Sequence, residues 1–296
     1  MAQNYQRPEI DIQAFAENLF QTPDEDVNYD DLYESLYQLY ANPINLNNTD
    51  REELSTLFLL NNQQINALLE YMSLHGPMLT IYELQVIDGF DLDLIQNIAP
   101  FVEVRSPGDY TTRGNLFQRM RDEESNYFVI RTEQVLEQQE GYTREDSSRY
   151  LGSPAKIYGR IRSSHSKDFS VGMTFEKDPG ERVAYDKDNE QYGFDYYSYH
   201  LFLENKGNFK KIAIGDYQMQ FGQGLILGAG FSSGKGAETI TTVKRANSGI
   251  KPYTSALEAG FMRGVGITYE KDNFQFSPFY SFAKKDAVVL TGDNAD

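Results

Sequence analysis

The chain has 296 residues, with 27 Lys and Arg against 44 Asp and Glu, and a formal net charge of −17. So acidic a balance argues against general nucleic-acid binding, because Lys and Arg supply the affinity for phosphates, and the absence of cysteine removes disulfides, thiolate chemistry and sulfur-ligated metals. No apolar run approaches the roughly 18 residues of a membrane-spanning helix, which excludes a helical membrane protein but not a β-barrel, whose strands are short and alternating.

The charge is uneven. Residues 1–105 hold 3 Lys and Arg against 18 Asp and Glu, a net of −15, whereas 106–296 are nearly balanced. The pattern changes at the same place, from helical spacing to period two, with Ser106-Pro107-Gly108-Asp109 as the break. Residues 1–43 read as a helical segment. One helix is expected over 9–20, with Ile10, Phe15 and Leu19 on one side, and another over 29–40, carried by Leu32, Leu36 and Leu39. Asn42-Pro43 stops the second. Between them, Asp24-Glu25-Asp26 reads as a solvated loop or a docking surface for a basic partner.

An internal repeat follows at an offset of 30 residues. Asp50 to Leu54 aligns with Thr80 to Leu84, each a cap signal with an acid three residues on. Leu57 aligns with Ile87, and Ile65 with Ile95. Each copy therefore reads as helix, tight turn, helix, with Leu54, Leu57, Ile65, Leu68, Leu84, Ile87 and Ile95 as the expected core. The turns are Leu59-Leu60-Asn61 and Gly89-Phe90-Asp91. Segment 44–105 on this basis resembles a tandem helix-hairpin-helix domain, as in competence-type DNA receptors. The resemblance implies that these six residues occupy the positions where Gly-x-Gly hairpins approach a DNA phosphate. Three of the four glycine positions are replaced, and Asp91 brings negative charge, which argues against DNA contact while leaving the fold.

After a linker over 106–125, the chain alternates. Seven strands are expected, at 126–136, 155–164, 168–177, 195–205, 209–220, 259–270 and 273–283. Phe169, Val171, Met173 and Phe175 share one face, with Ser170, Gly172, Thr174 and Glu176 on the other. Phe202 breaks the polar side of its strand. Strands near ten residues with one apolar and one small or polar face suit a transmembrane barrel; a soluble sandwich also alternates. The connections run strictly long, short, long, short, as in outer-membrane barrels with short periplasmic turns. That parity would place the acidic helical domain in the periplasm. An odd strand count and the polar stretch from Lys284 to Asp296 suggest a barrel portion with further strands beyond.

The phrases Asn42-Pro43-Ile44-Asn45-Leu46-Asn47, Ile81-Tyr82-Glu83-Leu84-Gln85, Tyr150-Leu151-Gly152-Ser153-Pro154, Gly215-Asp216-Tyr217-Gln218-Met219-Gln220-Phe221-Gly222-Gln223-Gly224-Leu225, Gly234-Lys235-Gly236-Ala237 and Lys251-Pro252-Tyr253-Thr254-Ser255 carry a wider resemblance. The chain resembles the helix-hairpin-helix domain proteins of Bacteroidota that carry an outer-membrane barrel. The resemblance implies an α+β multidomain protein: an all-α hairpin domain followed by an antiparallel barrel.

No catalytic, cofactor or metal motif emerges. The run Gly228 to Gly236 lacks the hydroxyl that a phosphate loop places after its lysine, since Gly236 follows Lys235; a glycine-rich loop folding against a barrel wall is expected instead. Asp186 to Glu190 lacks the Gly and Glu of a calcium loop, with Gln191 and Tyr197 in their places. His75, His165 and His200 show no metal spacing. The expectation is a non-enzymatic outer-membrane protein whose periplasmic domain acts as plug or interaction module. Its partners would be membrane lipid and a periplasmic protein or peptide. The alternatives are DNA uptake through residues 44–105, and an outer-membrane enzyme with unidentified catalytic acids.

Overall fold

The computed structural model describes residues 7–19, 29–57, 59–105, 115–123, 126–137, 139–145, 149–165, 167–186, 191–228, 247–255 and 260–283. The N-terminal part holds α1 (Ile12–Leu19), α2 (Tyr29–Ala41), β1 (Ile44–Asn45), α3 (Arg51–Leu54), α4 (Asn62–His75), a 3-10 helix over Ile81–Val86, α5 (Leu92–Ile98) and β2 (Val102–Glu103). Four side chains cap these elements at the repeat's offset. Asp50 accepts from the Glu53 amide and Asn61 from that of Gln64, while Thr80 accepts from Tyr82 and Asp91 from Leu94. Gln64 and Glu83 reach back to complete capping boxes. The copies differ in the length of their second helices, 14 residues against 7, and in the first: where the sequence predicts an α-helix after Thr80, the chain forms a 3-10 helix. Ile81, Val86 and Ile87 are β-branched and crowd an α-helical turn.

The residues expected in the core are all buried, and Phe101, Val102, Ile44 and Leu46 join them. Asn45 and Asn47 close this unit. Parallel pairing of β1 with β2 sets Ile44 beside Val102. The Asn47 side chain accepts from the Met78 amide at 2.7 Å and donates to the carbonyls of Met78 and Arg105 at 2.8 and 2.9 Å. One amide thus ties the entry, the middle and the exit of the repeat.

The second part is antiparallel. After α6 (Leu116–Asp122) come β3 (Asn126–Gln134), β4 (Ala155–His165), β5 (Phe169–Lys177), β6 (Ala184–Asp186), β7 (Gln191–Gly193), β8 (Tyr196–Lys206), β9 (Phe209–Gln220), β10 (Gly249–Pro252), β11 (Met262–Lys271), β12 (Phe274–Phe276) and β13 (Phe279–Ser281). A nine-stranded sheet runs β12-β11-β9-β8-β5-β4-β3, with β10 on β9 and β13 on β11. Its tight turns use positive φ at Lys167, Asn205 and Asp272.

Six expected strands form within a few residues of the expected limits. The seventh is corrected: 273–283 splits at Ser277-Pro278 into β12 and β13, because proline has no N–H for the ladder. The expected linker carries α6, capped by Asn115. The long loop over 178–194 contains the β6–β7 hairpin, and 221–258 contains β10. The sheet is open: among the described residues, β3 and the β12/β13 edge do not pair with each other. The run Gly228 to Gly236 beyond its first residue, Lys187 to Glu190, and Lys284 to Asp296 lie outside the described residues.

Candidate functional site: an inverted sheet and its inner face

The sheet places its apolar side chains outward. Phe128, Ile161, Met173 and Tyr199 are 59, 53, 42 and 51% exposed, and pairing aligns Phe128 with Ile161, Ile161 with Met173, and Met173 with Tyr199. A neighbouring row joins Val171, Leu201, Ile214, Val265 and Tyr280. Both rows cross strand boundaries, so the apolar surface is continuous, with Val171 and Leu201 as its half-buried members. Burial of a large apolar side chain is worth roughly 1.5–3 kcal/mol, so these nine residues, left about half in water, would forgo an amount comparable to a domain's whole stability, about 5–15 kcal/mol.

Aromatic pairs flank this apolar band at both strand ends. Near the short turns, Phe209 meets Tyr269 at 5.4 Å and Phe274 stacks on Phe276 at 6.4 Å. Near the long loops, Phe175 meets Phe194 at 4.6 Å, and Phe194 meets Tyr197 at 6.1 Å. Arg263 sits at this end, over the rings of Tyr199 and Phe261. Its Nε and Nη2 donate to the fully buried Asp216 at 2.6 and 2.7 Å. Gly215 makes room: its φ is +92°, and a Cβ would lie 2.3 Å from the Tyr199 carbonyl oxygen.

The opposite face is polar and buried. Arg160, Ser164, Ser170, Thr174, Ser198, His200 and Thr268 are all less than a tenth exposed. Such groups need partners, and cross-strand neighbours supply them. Arg160 Nε donates to Thr174 Oγ1, Arg162 Nε donates to Ser170 Oγ, and Ser170 Oγ meets His200 Nε2 at 2.9 Å. A strap formed by 247–255 lies on this face. Arg160 donates to the Thr254 carbonyl, Lys211 to that of Ser248, and the Tyr253 amide to that of Asp216. Ile250 is buried with Phe202, Ala213, Tyr217 and Met219. Phe202, the apolar interruption in a polar face, is therefore the floor under the strap.

The helical domain meets the sheet at the short-turn end. Tyr37 approaches Tyr127 edge-on at 6.0 Å, Ser164 Oγ donates to Asn42 Oδ1 at 2.5 Å, and Lys167 pairs with Asp50 at 3.3 Å and Glu53 at 3.8 Å. In the same turn Asp168 accepts from Arg119 of α6 at 2.7 Å and from Lys206. Burial opposes its charge, but the hydrogen bonds from Arg119 and Lys206 outweigh this and hold its carboxyl below the usual aspartate value. Asp50 is lowered in the same way: burial resists, while the Glu53 amide and Lys167 win.

The six hairpin positions are structural in their contacts. Leu60 and Phe90 are buried, Leu59 is half-buried, Asn61 and Asp91 are N-caps, and Gly89 has φ +85°. The Gly89 carbonyl accepts from Gln64 at 2.9 Å, joining the two turns. The histidines lie apart. His75 stacks on Tyr71, His165 contacts Glu123 at 2.7 Å, and His200 belongs to the inner network. Among the described residues no group of three or more His, Cys, Asp or Glu could hold a metal ion. No helix is long and apolar enough to cross a membrane, which says nothing of strands. No protein-family model, curated protein or solved structure matches the chain.

Periodicity exposed the two faces but not the strap or the inner arginine network. Arg160 and Thr254 are 94 residues apart, and no local signal marks such a pairing.

Proposed function

We propose that this chain forms part of the wall of an outer-membrane β-barrel and carries a helix-hairpin-helix module on its periplasmic side. The observation that carries the reading is the inverted sheet: a continuous exposed apolar band, flanked by aromatic pairs, over a buried polar face. A soluble sandwich would bury the apolar face instead. The six long strands, β3 to β5, β8, β9 and β11, have nine to twelve residues, against the roughly 9–11 needed to cross a bilayer. Lipid tolerates no open sheet edge, so the reading requires strands that pair with β3 and β12/β13. The role is non-enzymatic, one of lodging in lipid and presenting the acidic module to a protein or peptide.

A DNA-handling role has less support. Asn61 and Asp91 use their side-chain Oδ1 atoms to accept from helix amides, and the 3 cations of residues 1–105 face 18 acids.

Envelope fractionation with unboiled and boiled gels tests the proposal. Recovery from the outer membrane with a boiling-dependent mobility shift is expected. A product released by carbonate washing, with no shift, would overturn it.

A further inference from the structure

The helical domain and the sheet have separate cores. One cluster runs from Ile12 to Val102 and the other joins Phe202, Ala213, Tyr217, Met219 and Ile250. Among the described residues, polar contacts join them: the Lys167 pairs with Asp50 and Glu53, and the Asn42–Ser164 hydrogen bond. Two ring contacts accompany them, Tyr37 against Tyr127 and Arg131 over Tyr33 at 5.5 Å. Interfaces of this composition behave as transient ones.

The contacts also define where the domain sits. Tyr127 pairs with Arg162 and Arg131 with Tyr158, all on the polar inner face, and Ser164 belongs to that face too. α2 therefore lies over the inner side of the sheet, at its short-turn end. Lys167, between Asp50 and Glu53, pairs the acidic domain to this mouth, and the charge of Lys211 also acts on Asp50.

We propose that the helical domain is a detachable plug, seated over the inner face of the sheet and latched electrostatically by the turn at Lys167. The occlusion rests on the membrane reading above; the latch does not. Each latch pair is partly exposed, so it is weak and screened by salt. Docking is consequently reversible, and a strongly basic periplasmic peptide would compete with Lys167 for Asp50 and Glu53.

The absence of native cysteine makes a direct test available in the full chain. The double variant Asn42→Cys, Ser164→Cys places one thiol on each side of the junction. Cross-linking by oxidation of the two thiols to a disulfide with diamide is expected at low salt, since the two side chains are in contact in the docked state. Lys167→Glu should lower the yield roughly threefold to tenfold, as expected for loss of two weak pairs replaced by repulsion. Adding Glu53→Lys to Lys167→Glu should restore part of it, which a misfolded variant would not do. A yield unchanged by salt and by Lys167→Glu, or no cross-link at all, overturns the latch. In liposomes, the cross-linked protein, supplied with the strands that close its sheet, should pass small solutes more slowly than the same protein before linking. Insertion with equal flux overturns the plug while leaving the membrane reading intact. Failure to insert, with cross-linking still salt-sensitive, removes the membrane reading and the plug together and leaves a latched interdomain contact.

Discussion

The two halves use the same apolar residue types in opposite directions. In the helical domain, Leu54, Leu57, Leu68 and Leu84 are fully buried, and the charges lie outside. In the sheet, Phe128, Ile161 and Met173 face out while Arg160 and Thr174 are enclosed. One half encloses its apolar side chains and exposes its charges. The other exposes apolar side chains and encloses polar ones. Hydrophobic content alone therefore does not separate a core from an outer wall; the side on which each residue lies does.

Substitutions that exchange these rules should break the comparison most strongly. Leu68→Ala or Leu84→Ala should destabilise the helical domain by about 2–5 kcal/mol, read from denaturant unfolding of the full chain. On the sheet, Ile161→Arg should cost about 2–4 kcal/mol when the protein is folded into lipid. In a water-exposed sheet the same change would be within about 0.5 kcal/mol, so a folding titration in vesicles separates the two environments. Arg160→Leu should cost about 1–3 kcal/mol by stranding the Thr254 carbonyl, and protease cleavage within 247–255 should rise as the strap loosens. If the strap stays protected, Arg160 is not its anchor.

Acid should act on the junction before either core. Asp50 and Asp168 both have carboxyl values lowered from the ordinary 3.8. A lowered folded-state value means that their contribution is present above the unfolded value and lost as pH falls through the folded one. Asp50 faces Lys167, and Asp168 faces Arg119 and Lys206. Cross-linking between positions 42 and 164 should thus hold at neutral pH and fall below about pH 4. The smallest effect is expected at the hairpins. Asp91→Gly replaces a cap that glycine nearly matches, at a few tenths of a kcal/mol, and a melting curve should barely move.

Much of this was legible in the sequence because it is local. Asp50, Asn61, Thr80 and Asp91 mark their helix starts, since a cap needs only a side-chain oxygen and an amide two or three residues on. Strand positions followed from period two, and the turn at Asp272 from its short spacing. The second repeat's 3-10 helix was not legible: its cap resembles that of the first, and only the branched side chains after Thr80 separate them. The break at Ser277-Pro278 was written in the proline and passed over because the aromatic alternation continues across it.

By itself, then, the sequence determined two units of different periodicity, their caps, their strands and the existence of two unlike faces. Each of these depends on residues within a few positions of one another. Only the tertiary structure decided that Asn47 ties three distant segments, that 247–255 returns across the inner face onto Phe202, and that Lys167 receives the acidic domain. Those contacts join residues tens of positions apart, and they follow from how the chain packs in three dimensions, on which local pattern places no constraint.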